Sequence, residues 1–156
     1  VPYQEYMVRT DDWSFSGIWV YLALDAMLVL VCAFLGAVYF SQRKATKAGQ
    51  RFWTITTRRL LIHLMIPLVS GGIFMLILVF RNNLGLIVPV MLIFYGLSLV
   101  SAGKFTFSEI HYLGLTEITL GLLAAIFVNY GLFFWVIGFG AMHIIYGSVM
   151  YYRHEK

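Results

Sequence analysis

Four ionisable side chains lie inside long apolar runs of this 156-residue chain: Asp25, His63, Glu117 and His143. A charge held within hydrocarbon is costly, so each is a candidate for proton binding, a solute path or a hydrogen bond between helices. Glu117 and His143 stand out as a pair. The turn signal Asn129-Tyr130-Gly131 separates them, and each lies 13 residues from Tyr130. In an antiparallel helical hairpin they reach the same depth, about 20 Å from the tip. Their surroundings also match: Gly114-x-x-Glu117-x-x-x-Gly121 and Gly140-x-x-His143-x-x-x-Gly147. Positions three and four apart share a helix face, and small residues let membrane helices approach closely. The spacing therefore predicts that both side chains point into a bundle and share a proton, which lowers the burial cost of each. Such a pair either locks the last hairpin or forms a proton-accepting site.

The other polar groups read differently. His63 lies four residues past Arg59, about 6 Å along a helix, within reach of the headgroup region. Glu109 and His111 sit at the start of the next-to-last apolar run and read as interfacial in the same way. Asp25, inside Leu22-Ala23-Leu24-Asp25-Ala26-Met27, is expected to bond a neighbouring helix. Ser70 and Tyr95 are equidistant from the Arg81-Asn82-Asn83 turn, so a Ser70–Tyr95 hydrogen bond is expected beside Gly71, Gly72 and Gly96.

The elements that must hold these groups follow from composition. Hydrophobic residues make up 61% of the chain and charged ones 12%, against roughly 25% charged in a soluble domain. A soluble fold of this length has no way to cover that much apolar surface. Continuous apolar runs, not alternating ones, exclude a transmembrane barrel. About 20 apolar residues span a bilayer as a helix. The expected fold is an all-α polytopic transmembrane helix bundle in a single membrane domain, 1–156. Five spans are expected, at about 18–40, 60–80, 84–102, 108–128 and 132–152. Gly71, Gly72, Gly96, Gly114, Gly121, Gly140 and Gly147 are the expected helix-packing positions.

Nine of the eleven basic residues fall on one side of these spans: Arg43, Lys44, Lys47, Arg51, Arg58, Arg59, Lys104, Arg153 and Lys156. Only Arg9 and Arg81 fall on the other. The positive-inside rule then places the amino terminus outside and the carboxyl terminus in the cytoplasm. Segment 41–59 reads either as a basic cytoplasmic loop or as an interfacial helix, with Arg43, Lys44, Lys47 and Arg51 on anionic headgroups. An outside amino terminus that starts at Val1 with no signal peptide leads us to expect at least one further span upstream. The expected location is the inner membrane of a bacterium, with the lipid bilayer as the main partner. A membrane-protein partner or a second copy of the chain is a further candidate, and nucleic acid is not.

A faint internal repeat supports a hairpin architecture. Leu64–Gly72 answers Leu113–Gly121, and Phe94-Tyr95-Gly96 answers Ile145-Tyr146-Gly147. From about residue 50 onward the chain resembles a family of small uncharacterised bacterial integral membrane proteins. The likeness is carried by Arg58-Arg59-Leu60-Leu61-Ile62, Ile66-Pro67-Leu68, Gly71-Gly72-Ile73-Phe74, Leu92-Ile93-Phe94-Tyr95-Gly96 and His143-Ile144-Ile145-Tyr146-Gly147. More distantly, consecutive hairpins resemble the six-span acid-resistance membrane proteins of the HdeD type. That likeness implies a fold and, weakly, a stress-related role.

Enzyme chemistry is not expected. The sequence has no phosphate-binding loop, no His-Glu-x-x-His helix and no Gly-x-Ser-x-Gly elbow. One cysteine, Cys32, and scattered histidines make no metal or iron–sulfur site. His63 and His143 differ by roughly 7 to 8 Å in depth, which suits haem ligation poorly. No cofactor is expected. The leading expectation is a non-enzymatic accessory, scaffold or stress-related membrane component. The alternative is a small transporter or proton-coupled channel that uses Glu117 and His143.

Overall fold

A computed structural model describes Leu28, Leu35, Tyr39, Gln42, Arg43 and residues 45–154. The chain divides into two units, Val1–Phe52 and Trp53–Lys156. The described residues are helical with connecting turns, and none is in a strand. Among the described residues, four helices are long and apolar enough to cross a membrane. Asp25 and most of the expected first span lie outside the described residues.

In the first unit the described residues are helical up to Lys47. The helix stops at Gly49, whose φ of 67° is a left-handed conformation. Gly49 N–H donates to the Thr46 carbonyl at 3.1 Å, and Gln50 N–H donates to the Ala45 carbonyl at 2.9 Å. This is a Schellman closure, which glycine permits because it lacks a Cβ.

The second unit begins after a short non-helical stretch. Helix α1 (Ile55–Phe80) starts at a cap: the Thr54 hydroxyl accepts from Thr57 N–H. Arg58 and Arg59 therefore lie on α1, and the expected 60–80 span begins five residues early. The apolar run marks the hydrocarbon-facing part of a helix, whereas its cap sets where the helix starts. Segment 41–59 is correspondingly not one loop, because it holds helical residues on both sides of the 48–54 connection.

Arg81-Asn82-Asn83 makes the expected tight turn. Asn82 has φ 58°, and Asn83 N–H donates to the Leu78 carbonyl at 2.9 Å. Asparagine tolerates this conformation better than most residues. One 3-10 turn (Leu84–Leu86) leads into α2 (Ile87–Gly103), followed by α3 (Ser108–Ile126). A second 3-10 turn, Val128–Tyr130, occupies the predicted Asn129-Tyr130-Gly131 reversal. The last helix comprises α4 (Gly131–Trp135), a π-helical segment (Val136–Met142) and α5 (His143–His154).

The core sits between α2 and α3. Pro89, Val90, Leu92, Gly96, Ser98, Leu99 and Ala102 are buried on α2, and Leu113, Gly114, Glu117, Gly121 and Ala124 on α3. On α1 only Gly71 and Leu78 are buried. Outward-facing positions remain apolar, with Ile66, Phe80, Leu132 and Ile144 all strongly exposed. A surface of this kind suits hydrocarbon as solvent and would aggregate in water.

Glycines make the central seam. A Cβ built on Gly96 would lie 2.6 Å from the Gly114 carbonyl oxygen, and one on Gly114 would lie 2.7 Å from the Gly96 oxygen. Seven residues along each helix the pattern recurs. A Cβ on Gly121 would be 2.9 Å from Ile93 N, and one on Gly103 would be 2.9 Å from the His111 backbone. Backbone thus meets backbone along the α2–α3 interface, a contact only glycine allows. Gly71 plays a lesser part of the same kind, pressed against the Phe94 side chain. Gly72 and Gly147 face open space, and a Cβ on Gly140 would touch only Val136 of its own helix. These three expected packing positions are corrections. Gly138, a buried glycine of the last helix, lies against Glu117 of α3 instead.

Candidate functional site

Glu117 is carried near the middle of α3, on the face that also bears Gly114 and Gly121. Its residue exposure is 0%, and among the described residues neither carboxyl oxygen has a hydrogen-bond partner. The nearest titratable atom recorded is Nδ1 of His143, 3.6 Å from Oε1. The fold thus brings together the two groups expected at equal depth. They are in ion-pair range, but they are not hydrogen-bonded.

His143 is engaged elsewhere on both nitrogens. Its Nδ1 lies 2.9 Å from the Gly138 carbonyl oxygen, and its Nε2 lies 2.8 Å from the Tyr95 hydroxyl. A carbonyl only accepts, so Nδ1 must carry the proton there. In the neutral ring Nε2 then accepts from the Tyr95 O–H. One tautomer satisfies both contacts and leaves Glu117 without a donor.

The π-helical segment creates this geometry. In an α-helix the carbonyl beneath residue 143 belongs to residue 139 or 140. Here the backbone N–H of His143 bonds the Gly140 carbonyl, while its side chain reaches five residues back across the wider turn to Gly138. The register moves with it, so the close approach passes from the expected Gly140 to Gly138. A Cβ on Gly138 would sit 2.8 Å from Leu92 Cδ2 and collide with the Glu117 carboxyl. Gly138 is thus the floor of the site in two senses: its carbonyl holds the imidazole, and its missing side chain leaves room for the carboxyl.

Aromatic rings frame the imidazole. Phe139 lies 5.7 Å from the His143 ring at an interplanar angle of 17°, and 5.0 Å from Tyr95. Trp135 packs against Phe139 at 5.5 Å. On either side of Tyr95 along α2, Leu92 is fully buried, as is Ser98, whose hydroxyl is spent on the Phe94 carbonyl of its own helix.

The Ser70–Tyr95 expectation is overturned. Ser70 donates to the Ile66 carbonyl at 2.8 Å, while Tyr95 turns to His143. Successive helical residues point about 100° apart. On α2 it is Phe94 that faces α1, so Tyr95 is directed at the last helix.

A second polar cluster closes the other end of the same helix pair. Glu109 is 4% exposed. Arg153 Nη1 donates to its Oε1 at 2.8 Å, and His154 Nε2 lies 3.4 Å from both oxygens. Phe107 stacks on His154 at 4.2 Å. Glu109 also sits in the first turn of α3, where the helix dipole favours a negative charge. Counting residues from the Tyr130 turn places Glu109 and Arg153 at similar depth, so the basic tail serves as a partner as well as an orientation signal. His111 reaches the Val100 carbonyl at 3.4 Å. His63 stacks on Phe105 at 4.9 Å and is exposed. Neither approaches the Glu117 site through any recorded contact.

No family model, curated protein or solved structure matches the chain.

Proposed function

We propose that this chain is a multi-pass, non-enzymatic membrane protein whose buried Glu117 binds and releases a proton, as in a small transporter or proton-coupled channel. The observation that carries the reading is the carboxyl with two orphan oxygens, 3.6 Å from an imidazole committed to other partners. A carboxyl kept only to lock helices would hold its partner by a hydrogen bond, because an unmade bond at a buried site is a net loss. A buried group that persists without that compensation points to use. The distribution of Lys and Arg supports an outside amino terminus, a cytoplasmic carboxyl terminus and residence in a bacterial inner membrane. It also supports contact of Arg43, Lys44, Lys47 and Arg51 with anionic lipid.

A scaffold or accessory role is the second reading, favoured by the backbone-to-backbone seam at Gly96 and Gly114. Glu117→Gln separates the two. In vesicles loaded with a pH-sensitive dye, the proton-binding reading expects E117Q to lose proton uptake while its melting temperature stays near that of the wild type. A variant that keeps any uptake the wild type has, and only melts earlier, supports the scaffold.

A further inference from the structure

We propose that His143 is a proton relay between Tyr95 and Glu117, with the Gly138 carbonyl as the resting acceptor for its Nδ1–H. The inference rests on the proton-binding reading of Glu117 and adds the route by which the proton arrives. Both carboxyl oxygens are sealed within the bundle. The His143 side chain keeps 32% of its surface exposed, and its ring bridges the sealed carboxyl and the Tyr95 hydroxyl. An imidazole is suited to the task because it can take a proton on one nitrogen and release one from the other.

A proton reaches Nε2 through the Tyr95 hydroxyl, which passes on its own proton and takes another from outside. The ring becomes imidazolium, with hydrogen on both nitrogens. Nδ1–H swings from the Gly138 oxygen to Glu117 Oε1, a closure from 3.6 Å to hydrogen-bond length. The N–H bond breaks as the carboxyl O–H bond forms. The neutral ring is left with its proton on Nε2, donated to the Tyr95 oxygen. The reverse order empties Glu117.

Among the described residues, the recorded titratable neighbours are few. Glu117 meets His143 from the last helix, and His143 meets Tyr95 from α2. Tyr146 bonds Thr116, one residue from Glu117, at 3.2 Å. No recorded contact brings a charged group of α1 to the site.

The test is a pH jump on the full chain in lipid vesicles, read by time-resolved infrared absorption of the Glu117 carboxyl, with E117Q assigning the band. The amplitude reports whether Glu117 takes up a proton, and the rate reports the relay. His143→Gln keeps amide groups that can meet Gly138 and Tyr95 but has no relay function. The relay predicts an unchanged amplitude and a rate about a hundredfold slower in H143Q. Tyr95→Phe, which leaves the imidazole in place, should slow the rate several-fold and serves if H143Q does not fold. Wild-type rates in both variants overturn the relay and leave proton binding standing. A wild-type carboxyl band that does not respond to pH overturns both.

Discussion

The two interfaces of α3 are built on opposite principles. Against α2, glycine brings backbone onto backbone at Gly96 and Gly114, and no charged side chain takes part in that crossing. Against the last helix, one glycine, one orphan carboxyl and an imidazole meet over a π-helical segment. The first interface has a single close-packed arrangement, and any added atom disturbs it. The second has spare valence: a donor with two acceptors in reach and a carboxyl with none assigned. In a membrane the hydrophobic effect does not drive helices together, so close packing must do so. The α2–α3 seam supplies the rigidity against which a polar site in the neighbouring seam can be kept under-bonded.

That contrast can be broken most severely at the seam itself. Gly114→Val places a branched side chain where a Cβ alone would lie 2.7 Å from the Gly96 oxygen. We expect a loss of about 3 kcal/mol or more, read as loss of a cooperative melting transition in detergent micelles. Gly138→Ala should cost less, about 1 to 2 kcal/mol, since the groups displaced are the ends of Glu117 and Leu92. Its signature is an altered His143 environment in nitrogen NMR, which Gly114→Val would not produce selectively. Smaller still is Arg153→Ala. Arg153 is 67% exposed, so its pair with Glu109 should show as a slight drop in melting temperature that fades with added salt. The opposite sign is expected for Gly147→Ala. A Cβ there meets nothing within 4 Å, and alanine favours the helix by up to about 1 kcal/mol in an open position. A rise or no change in melting temperature would agree; a fall comparable with Gly114→Val would mean that a further surface covers Gly147.

Much of the architecture was legible because hydrocarbon imposes a simple rule of length and polarity. The Asn82 turn was readable because few residues accept its left-handed backbone, and the Asn129 turn because Asn and Gly favour chain reversals. The depth match of Glu117 with His143 came from counting residues back from a turn. The partners within that depth did not. Rotation about a helix axis decides them, and one wide turn at 136–142 shifted the close contact from Gly140 to Gly138. Glycine identity alone also failed to separate Gly96, where an added Cβ would strike a neighbouring backbone, from Gly72, where it would meet nothing within 4 Å. A glycine becomes a contact only through its neighbour's position. Ser70 and Tyr95 share a distance from the turn but not a direction, and so bond the Ile66 carbonyl and His143 respectively.

The central claim is that the Glu117 carboxyl is a working proton site. An equilibrium infrared pH titration of the full chain in lipid vesicles, wild type against E117Q, tests it most directly. The account predicts a protonated-carboxyl band in the wild type that rises and falls as pH is swept and is missing from E117Q. A wild-type spectrum with no pH-dependent band that E117Q removes would contradict it.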